Sequence, residues 1–289
     1  MLCIDQNIQY KICLRVCKGY GGQETVPHLV KKGVSLKIVY EDGDVLVVYK
    51  EAGFPVQTGV TSRLDLVSLL KRHLSEEGSG GNPYLGLIHR LDQPVEGILV
   101  FAKNPKAAAA LSAQVSAKSS GKGTEMRKVY QAVVLLPDEN SVKKAKEAKT
   151  RVVTLRDELV RNYEDNSSRV VHAPEKESRL AELPYRTLKI WRSAEGVQKA
   201  LLEIHLRTGR HHQIRVQLSH AGLPIEGDRK YGNEENLPAT RPLCLCATLL
   251  QFRHPVTGKK MKFEVTPSFL EEESLKEAKD DGDHGDTRK

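Results

Sequence analysis

Short apolar runs separated by turn-rich breaks dominate this chain. Leu36-Lys37-Ile38-Val39-Tyr40 and Val45-Leu46-Val47-Val48-Tyr49 flank Glu41-Asp42-Gly43-Asp44, and two β-rich runs around Asp-Gly predict a hairpin. Apolar residues at 66, 67, 69, 70 and 74 predict a helix over Leu66 to Leu74. Asn104-Pro105 predicts a helix start, with Asn as cap and Pro at the first position, and the alanine-rich stretch Ala107 to Ala117 continues it. Val129 to Leu136 predicts a strand. Tyr185 to Trp191 and Ala200 to Leu206 predict a second hairpin across Ser193-Ala194-Glu195-Gly196. From His211 to Ala221 one stripe holds Ile214, Leu218 and Ala221, a helix that Gly222 and Pro224 stop. Leu243 to Phe252 and Met261 to Val265 predict two late strands. Many strands with a few interspersed helices predict an α+β fold on a largely antiparallel, mixed sheet flanked by helices and loops.

Folded patterning runs over residues 36–268. Residues 1–35 read as an extension too short for a domain of its own, residues 137–183 as a charged insertion or small subdomain, and residues 269–289 as a charged tail. A chain of 289 residues can bury a sizeable core. Lys and Arg total 45 against 37 Asp and Glu, a formal charge of +8. That excess favours polyanionic partners, nucleic acid among them, with a solvated basic surface as the alternative. Aromatic residues make up only 5%, which argues against an open stacking platform for many bases. The five cysteines, Cys3, Cys13, Cys17, Cys244 and Cys246, are odd in number and match no zinc spacing, so they read as reduced structural residues in a reducing compartment. The chain shows no apolar core of signal-peptide type and no run long enough to span a bilayer, so a cytoplasmic protein without membrane contact is expected.

Three stretches carry chemistry. His89-Arg90-Leu91-Asp92 precedes the apolar run Gly97-Ile98-Leu99-Val100-Phe101-Ala102. On an extended segment Arg90 and Asp92 share a face and can address one ligand, and a carboxylate beside a cation stays ionised, as a nucleophile must. Thr208-Gly209-Arg210-His211-His212-Gln213-Ile214-Arg215 joins a strand to a helix. Helix-start amides favour anions, and Arg210 and Arg215 add forked donors suited to phosphate or carboxylate. Adjacent His211 and His212 lack the i, i+4 spacing of a metal-binding helix. In Lys128-Val129-Tyr130, Lys128 and Tyr130 share one strand face. A tyrosine there can stack on a base and exchange a proton through its hydroxyl, or simply be a half-buried strand residue.

Together these stretches resemble the RluA-type pseudouridine synthases. The likeness spans residues 36–268, through Leu223-Pro224-Ile225-Glu226-Gly227-Asp228, Tyr231-Gly232 and Phe252-Arg253-His254-Pro255 in the family's order. The resemblance implies a pseudouridine synthase-like catalytic domain and an isomerase acting on uridine inside RNA. The bond from the anomeric carbon to uracil nitrogen 1 breaks, the base turns, and it rejoins through carbon 5. Carried over residue by residue, the catalytic residues are Asp92, the catalytic aspartate, Tyr130, which packs on the target base and can move a proton, and Arg215, which pairs with the aspartate, while Arg90 fills the gap left by the flipped nucleotide. His89, Lys128, Arg210, His212 and Gln213 join Arg90 as expected RNA contacts. One ionised carboxylate can trap the charge that develops at the sugar, and the reaction includes no redox or phosphoryl step, so no cofactor or metal is expected. The expected partner is structured RNA, either large-subunit rRNA or tRNA, bound by a monomer.

The chain departs from the family's pattern at three places. Gln93-Pro94-Val95-Glu96-Gly97 holds Glu96 where many members carry a small hydroxyl residue, and its charge is expected to raise the Asp92 pKa. Lys50-Glu51-Ala52-Gly53 lacks the usual proline, and Cys246 stands where many relatives have histidine. Two other functions compete. An RNA-binding protein could keep the fold without the chemistry. A glycoside hydrolase would need a second positioned carboxyl, for which Glu96 and Asp65 are nearest in sequence.

Overall fold

The computed structural model describes residues 28–31, 34–59, 63–76, 81–120, 126–232 and 242–270. Residues 1–27 of the expected extension, with Cys3, Cys13 and Cys17, and residues 271–289 of the expected tail lie outside them. The elements run β1 (His28–Lys31), β2 (Val34–Glu41), β3 (Val45–Lys50), α1 (Leu66–Leu74), β4 (Gly86–Leu87), β5 (Glu96–Ala102), α2 (Pro105–Ser120) and β6 (Arg127–Leu135). They continue through α3 (Glu139–Thr150), β7 (Val153–Asn162), β8 (Ser167–Val171), β9 (Arg179–Arg192), β10 (Gln198–His205), α4 (Gln213–His220), β11 (Leu245–Arg253) and β12 (Lys260–Glu264). The strands form one sheet ordered β1-β2-β3-β5-β11-β6-β10-β9-β7-β8, with β12 on β11 and β4 on β5. Every pairing is antiparallel except β5 with β11, which matches the expected α+β class.

Local chemistry explains the boundaries. The β2–β3 turn closes because Asp42 Oδ1 accepts the backbone N–H groups of Asp44 and Val45, each at 2.8 Å. Asp65 caps α1 by accepting from Ser68 N at 2.8 Å, and Asn104 caps α2 by accepting from Ala107 N at 2.8 Å. Asp138 and Ser141 form a reciprocal capping box at α3. β3 and β5 are buried along their whole length, which is why they read as unbroken apolar runs rather than alternating ones.

The β5–β11 junction supports the site. Its parallel register pairs Glu96 with Cys246 and Gly97 with Ala247. Gly97 has φ +127, and a Cβ there would lie 2.4 Å from the carbonyl oxygen of Ala247, so only glycine fits. β6 lies on the other side of β11, with Tyr130 opposite Ala247. Cys244 and Cys246 are buried.

The charged stretch 137–183 supplies α3, β7, β8 and the start of β9. Its strands continue the main sheet beyond β9, and α4 packs against β7, β8 and β9. β7 buries only Leu159 and exposes Thr154, Arg156, Arg161 and Asn162, so its polar residues broke the apolar signature of a strand. Among the described residues no helix is long and apolar enough to cross a membrane.

Candidate active site

Asp92 lies in the loop that enters β5, and this loop is stitched from behind. Lys50, at the end of β3, is 1% exposed. It donates to the carbonyl oxygens of Glu51 at 3.0 Å, Phe54 at 2.8 Å and Gln93 at 2.9 Å. The Gly53 N–H also donates to the Gln93 carbonyl, at 2.9 Å. All three ammonium protons are thereby used, and one of them fixes the residue next to Asp92. Burial pushes the Lys50 pKa down to about 8, against the opposing pull of the Asp92 charge.

The cationic partner of Asp92 comes from α4. Arg215 Nη1 lies 3.7 Å from Asp92 Oδ2, and His212 Nε2 approaches the same oxygen at 3.8 Å. Arg215 is engaged more closely elsewhere. Its Nε donates to Asp228 Oδ2 at 2.8 Å and its Nη2 to Asp228 Oδ1 at 2.7 Å. Asp228 Oδ1 also accepts the Lys230 and Tyr231 N–H groups at 3.0 and 3.1 Å. The Arg215 guanidinium stands 5.1 Å from the centre of the Tyr231 ring. The expected Arg215–Asp92 pairing is therefore one side of a three-member arrangement, and its buried anchor, Asp228, had been read only as part of a family-like segment.

Burial raises the Asp92 pKa; Arg215 and then His211 pull it back, and Asp228 adds to the rise. The expected influence of Glu96 is not among these leading causes. Glu96 accepts from Tyr49 Oη at 2.7 Å and from Ser268 N and Oγ at 2.9 and 2.7 Å. Asp65 is likewise committed, to Ser68 N and Thr58 N, each at 2.8 Å. Both candidates for a second glycosidase carboxyl thus serve the backbone and neighbouring side chains.

Tyr130 is buried, and burial followed by the Asp92 charge drives its hydroxyl pKa upward. Lys128, two residues back on β6, is half-buried, and burial lowers its pKa. His89 accepts from Val100 N at 3.5 Å through Nε2. Its Nδ1 is buried with no partner among the described residues, and burial followed by the Lys128 charge lowers its pKa. The His89–Asp92 segment belongs to no strand, which corrects the extended face expected there. Arg90 is exposed, and it lines the same cleft as Asp92.

The 208–215 stretch divides its labour differently from the sequence expectation. Gln213 is 2% exposed. Its Oε1 accepts from Thr208 Oγ1 at 2.9 Å and Arg210 N at 3.0 Å, and its Nε2 donates to Glu182 O at 3.2 Å. It clamps the loop from inside. Arg210 Nε donates to Leu180 O at 3.1 Å while the side chain stays at the cleft. His212 takes a left-handed backbone conformation, φ +51, so the entry to α4 is a turn rather than a regular anion-binding helix start.

His89, Arg90, Asp92, Lys128, Tyr130, Arg210, His212, Gln213 and Arg215 open onto one cleft of about 1280 Å³. Arg63, Arg90, Lys128, Arg161, Arg207, Arg210, Arg215, Arg229 and Lys230 line it, and among the described residues Asp92 is the one carboxylate in the lining. A cationic cleft around a single carboxylate suits a polyanion that must present one reacting group to that carboxylate.

A family model described as RNA pseudouridylate synthase matches residues 44–220. The chain is 30% identical over 256 residues to the ribosomal large subunit pseudouridine synthase D of Pseudomonas aeruginosa, a match covering 84% of this chain and 71% of that protein. It is 31% identical over 253 residues to the synthase D of Xanthomonas campestris pv. campestris, covering 83% and 68%. Human RNA pseudouridylate synthase domain containing 4 has a similar fold, with a TM-score of 0.61 at 21% identity over 83% of this chain and 91% of that one.

Proposed function

The chain belongs to the RNA pseudouridylate synthase family and is an isomerase of uridine in RNA, and from that premise we propose that Asp92 is its nucleophile. The observation that carries this reading is the lone Asp92 carboxylate among nine lining cations. Cleavage of the glycosidic bond builds positive charge at the anomeric carbon, and an adjacent carboxylate traps or stabilises it. Uracil stays in the cleft, turns, and rejoins through carbon 5, which loses its proton while nitrogen 1 gains one, so no water is consumed and no second carboxyl is needed to protonate a departing base. Arg215 keeps Asp92 ionised and, with His212 beside the same oxygen, aims it, and Tyr130 packs against the base.

A base in a stack must be extruded before reaction. Arg90, exposed at the cleft, takes the vacated place, and Lys128, Arg210 and the other lining cations grip phosphates. The named relatives act on the large ribosomal subunit, which supports its rRNA as the substrate. Comparing pseudouridine maps of total RNA from cells with wild-type protein, with Asp92→Asn and without the protein tests both parts. Uridines unmodified in the last two but modified in the first support the reading, and their place in large-subunit rRNA or in tRNA identifies the substrate. Modification that persists with Asp92→Asn removes Asp92 as nucleophile, and maps that never change favour an RNA-binding protein without activity.

A further inference from the structure

The stacked pair His211–His212, with ring centroids 3.8 Å apart, is fixed by two side chains from distant parts of the chain. Tyr231 Oη lies 2.8 Å from His212 Nδ1 and accepts the Ser168 N–H at 2.8 Å. The Tyr231 hydroxyl has one proton. Ser168 N already donates to that oxygen, and His212 Nδ1 is the acceptor it meets among the described residues. The proton therefore goes to Nδ1, and a neutral His212 must carry its own proton on Nε2. Nε2 is the atom 3.8 Å from Asp92 Oδ2.

His211 has the opposite arrangement. Ser168 Oγ lies 3.0 Å from both the His211 carbonyl oxygen and His211 Nδ1. A carbonyl cannot donate, so the hydroxyl proton goes to it, and Nδ1–H donates to Oγ. His211 Nε2 is left with a bare lone pair. Both rings are held neutral: burial first, then neighbouring cations and each ring's surroundings, push both pKa values down to about 4.

We propose that Tyr231 and Ser168 sort the tautomers of this pair so that His212 is a positioning residue, presenting an N–H to the Asp92 carboxylate. This rests on the reading of Asp92 as nucleophile. His212 then supplies a neutral donor beside the charged one from Arg215, and both point at Oδ2. At 3.8 Å the contact is looser than a hydrogen bond, and it closes when RNA expels water from the cleft. With the other tautomer, a nitrogen lone pair would face the carboxylate and repel it. The left-handed backbone of His212 brings the ring to this place and is retained because Tyr231, Gln213 and the stacked His211 surround it.

Histidine-selective ¹⁵N NMR of the free protein near neutral pH reads the tautomers directly. The expected spectrum has His212 protonated at Nε2 and His211 at Nδ1; His212 protonated at Nδ1 overturns the proposal. A kinetic cycle gives the second readout. Single-turnover tritium release from a large-subunit rRNA transcript made with 5-tritiated uridine is measured for Tyr231→Phe, His212→Gln and the double variant. Tyr231→Phe is expected to slow release about tenfold with unchanged RNA affinity, the size of a hydrogen bond to a charged group. In the His212→Gln background the same change is expected to have no effect, because a glutamine amide has no tautomer to set. Equal losses in both backgrounds would mean a merely structural tyrosine and would overturn the proposal. An active Asp92→Asn protein in the same assay would sink the nucleophile reading instead, and the NMR result would stand apart from it.

Discussion

Arg215 faces two aspartates at unequal range: it grips Asp228 through two hydrogen bonds of 2.7 and 2.8 Å and holds Nη1 3.7 Å from Asp92. The tight pair aims the guanidinium, and the loose one leaves Asp92 Oδ2 without a close hydrogen bond to it.

Asp228→Asn tests that division. Asp228 is 2% exposed and does not line the cleft, yet its loss leaves a buried guanidinium with half its support. Removing one partner of a buried pair costs about 3–5 kcal/mol. We expect a lower denaturation midpoint and at least a tenfold slower reaction. Arg215→Lys should not substitute, since an ammonium cannot make the two-pronged contact. Wild-type turnover in Asp228→Asn would show that Arg215 needs no anchor.

The pH profile follows from Asp92. Burial raises its pKa, and Arg215 is the first of the opposing influences. With Asp92 as the proposed nucleophile the reaction needs the carboxylate, so activity is lost as pH falls through that raised value. The acid limb of the single-turnover rate should lie above the ordinary carboxylate range. Arg215→Met should move it higher still. A limb that does not move would show that Arg215 does not hold Asp92 ionised.

The histidine pair makes a separate prediction about stability. Both rings have a folded pKa of about 4 against an ordinary 6.5. Between those values the unfolded chain binds more protons than the folded one, so stability falls as pH drops through that window and is unaffected above it. Melting temperature should decline from pH 7 towards pH 5, and His211→Gln with His212→Gln should flatten the decline. An equal slope in the double variant would place the effect elsewhere.

Gly97→Ala probes the frame. At φ +127, with backbone atoms of Ala247 within 2.7 Å of the added carbon, the β5–β11 register cannot persist unchanged. We expect a loss of about 3 kcal/mol or more, read from urea denaturation. A variant as stable as wild type would mean that the two strands separate at little cost.

Much of this protein can be read along the chain. The hairpins around Gly43 and Gly196 and the cap at Asn104 depend on residues a few positions apart, and each lies where the local pattern places it. Lys50, Ser168, Asp228 and Tyr231 carried no comparable signal. Their partners lie 43, 43 and 13 residues away for Lys50–Gln93, Ser168–His211 and Arg215–Asp228, and such pairings leave no periodicity. Gln213 looked like an RNA contact because it is polar within a basic motif; burial turned it into a clamp.

The sequence by itself determined the turns, the caps, the apolar runs that become β3 and β5, and the residue types around Asp92, because these follow from backbone sterics and neighbours within a helical turn or a strand pair. Only the tertiary structure decided how the charges are shared. The parallel β5–β11 junction and the packing of α4 on β7, β8 and β9 bring Asp92, Arg215, His212 and Asp228 out of bulk water. Burial and fixed hydrogen bonds there, rather than composition, set which carboxylate is tightly paired and which faces the cleft.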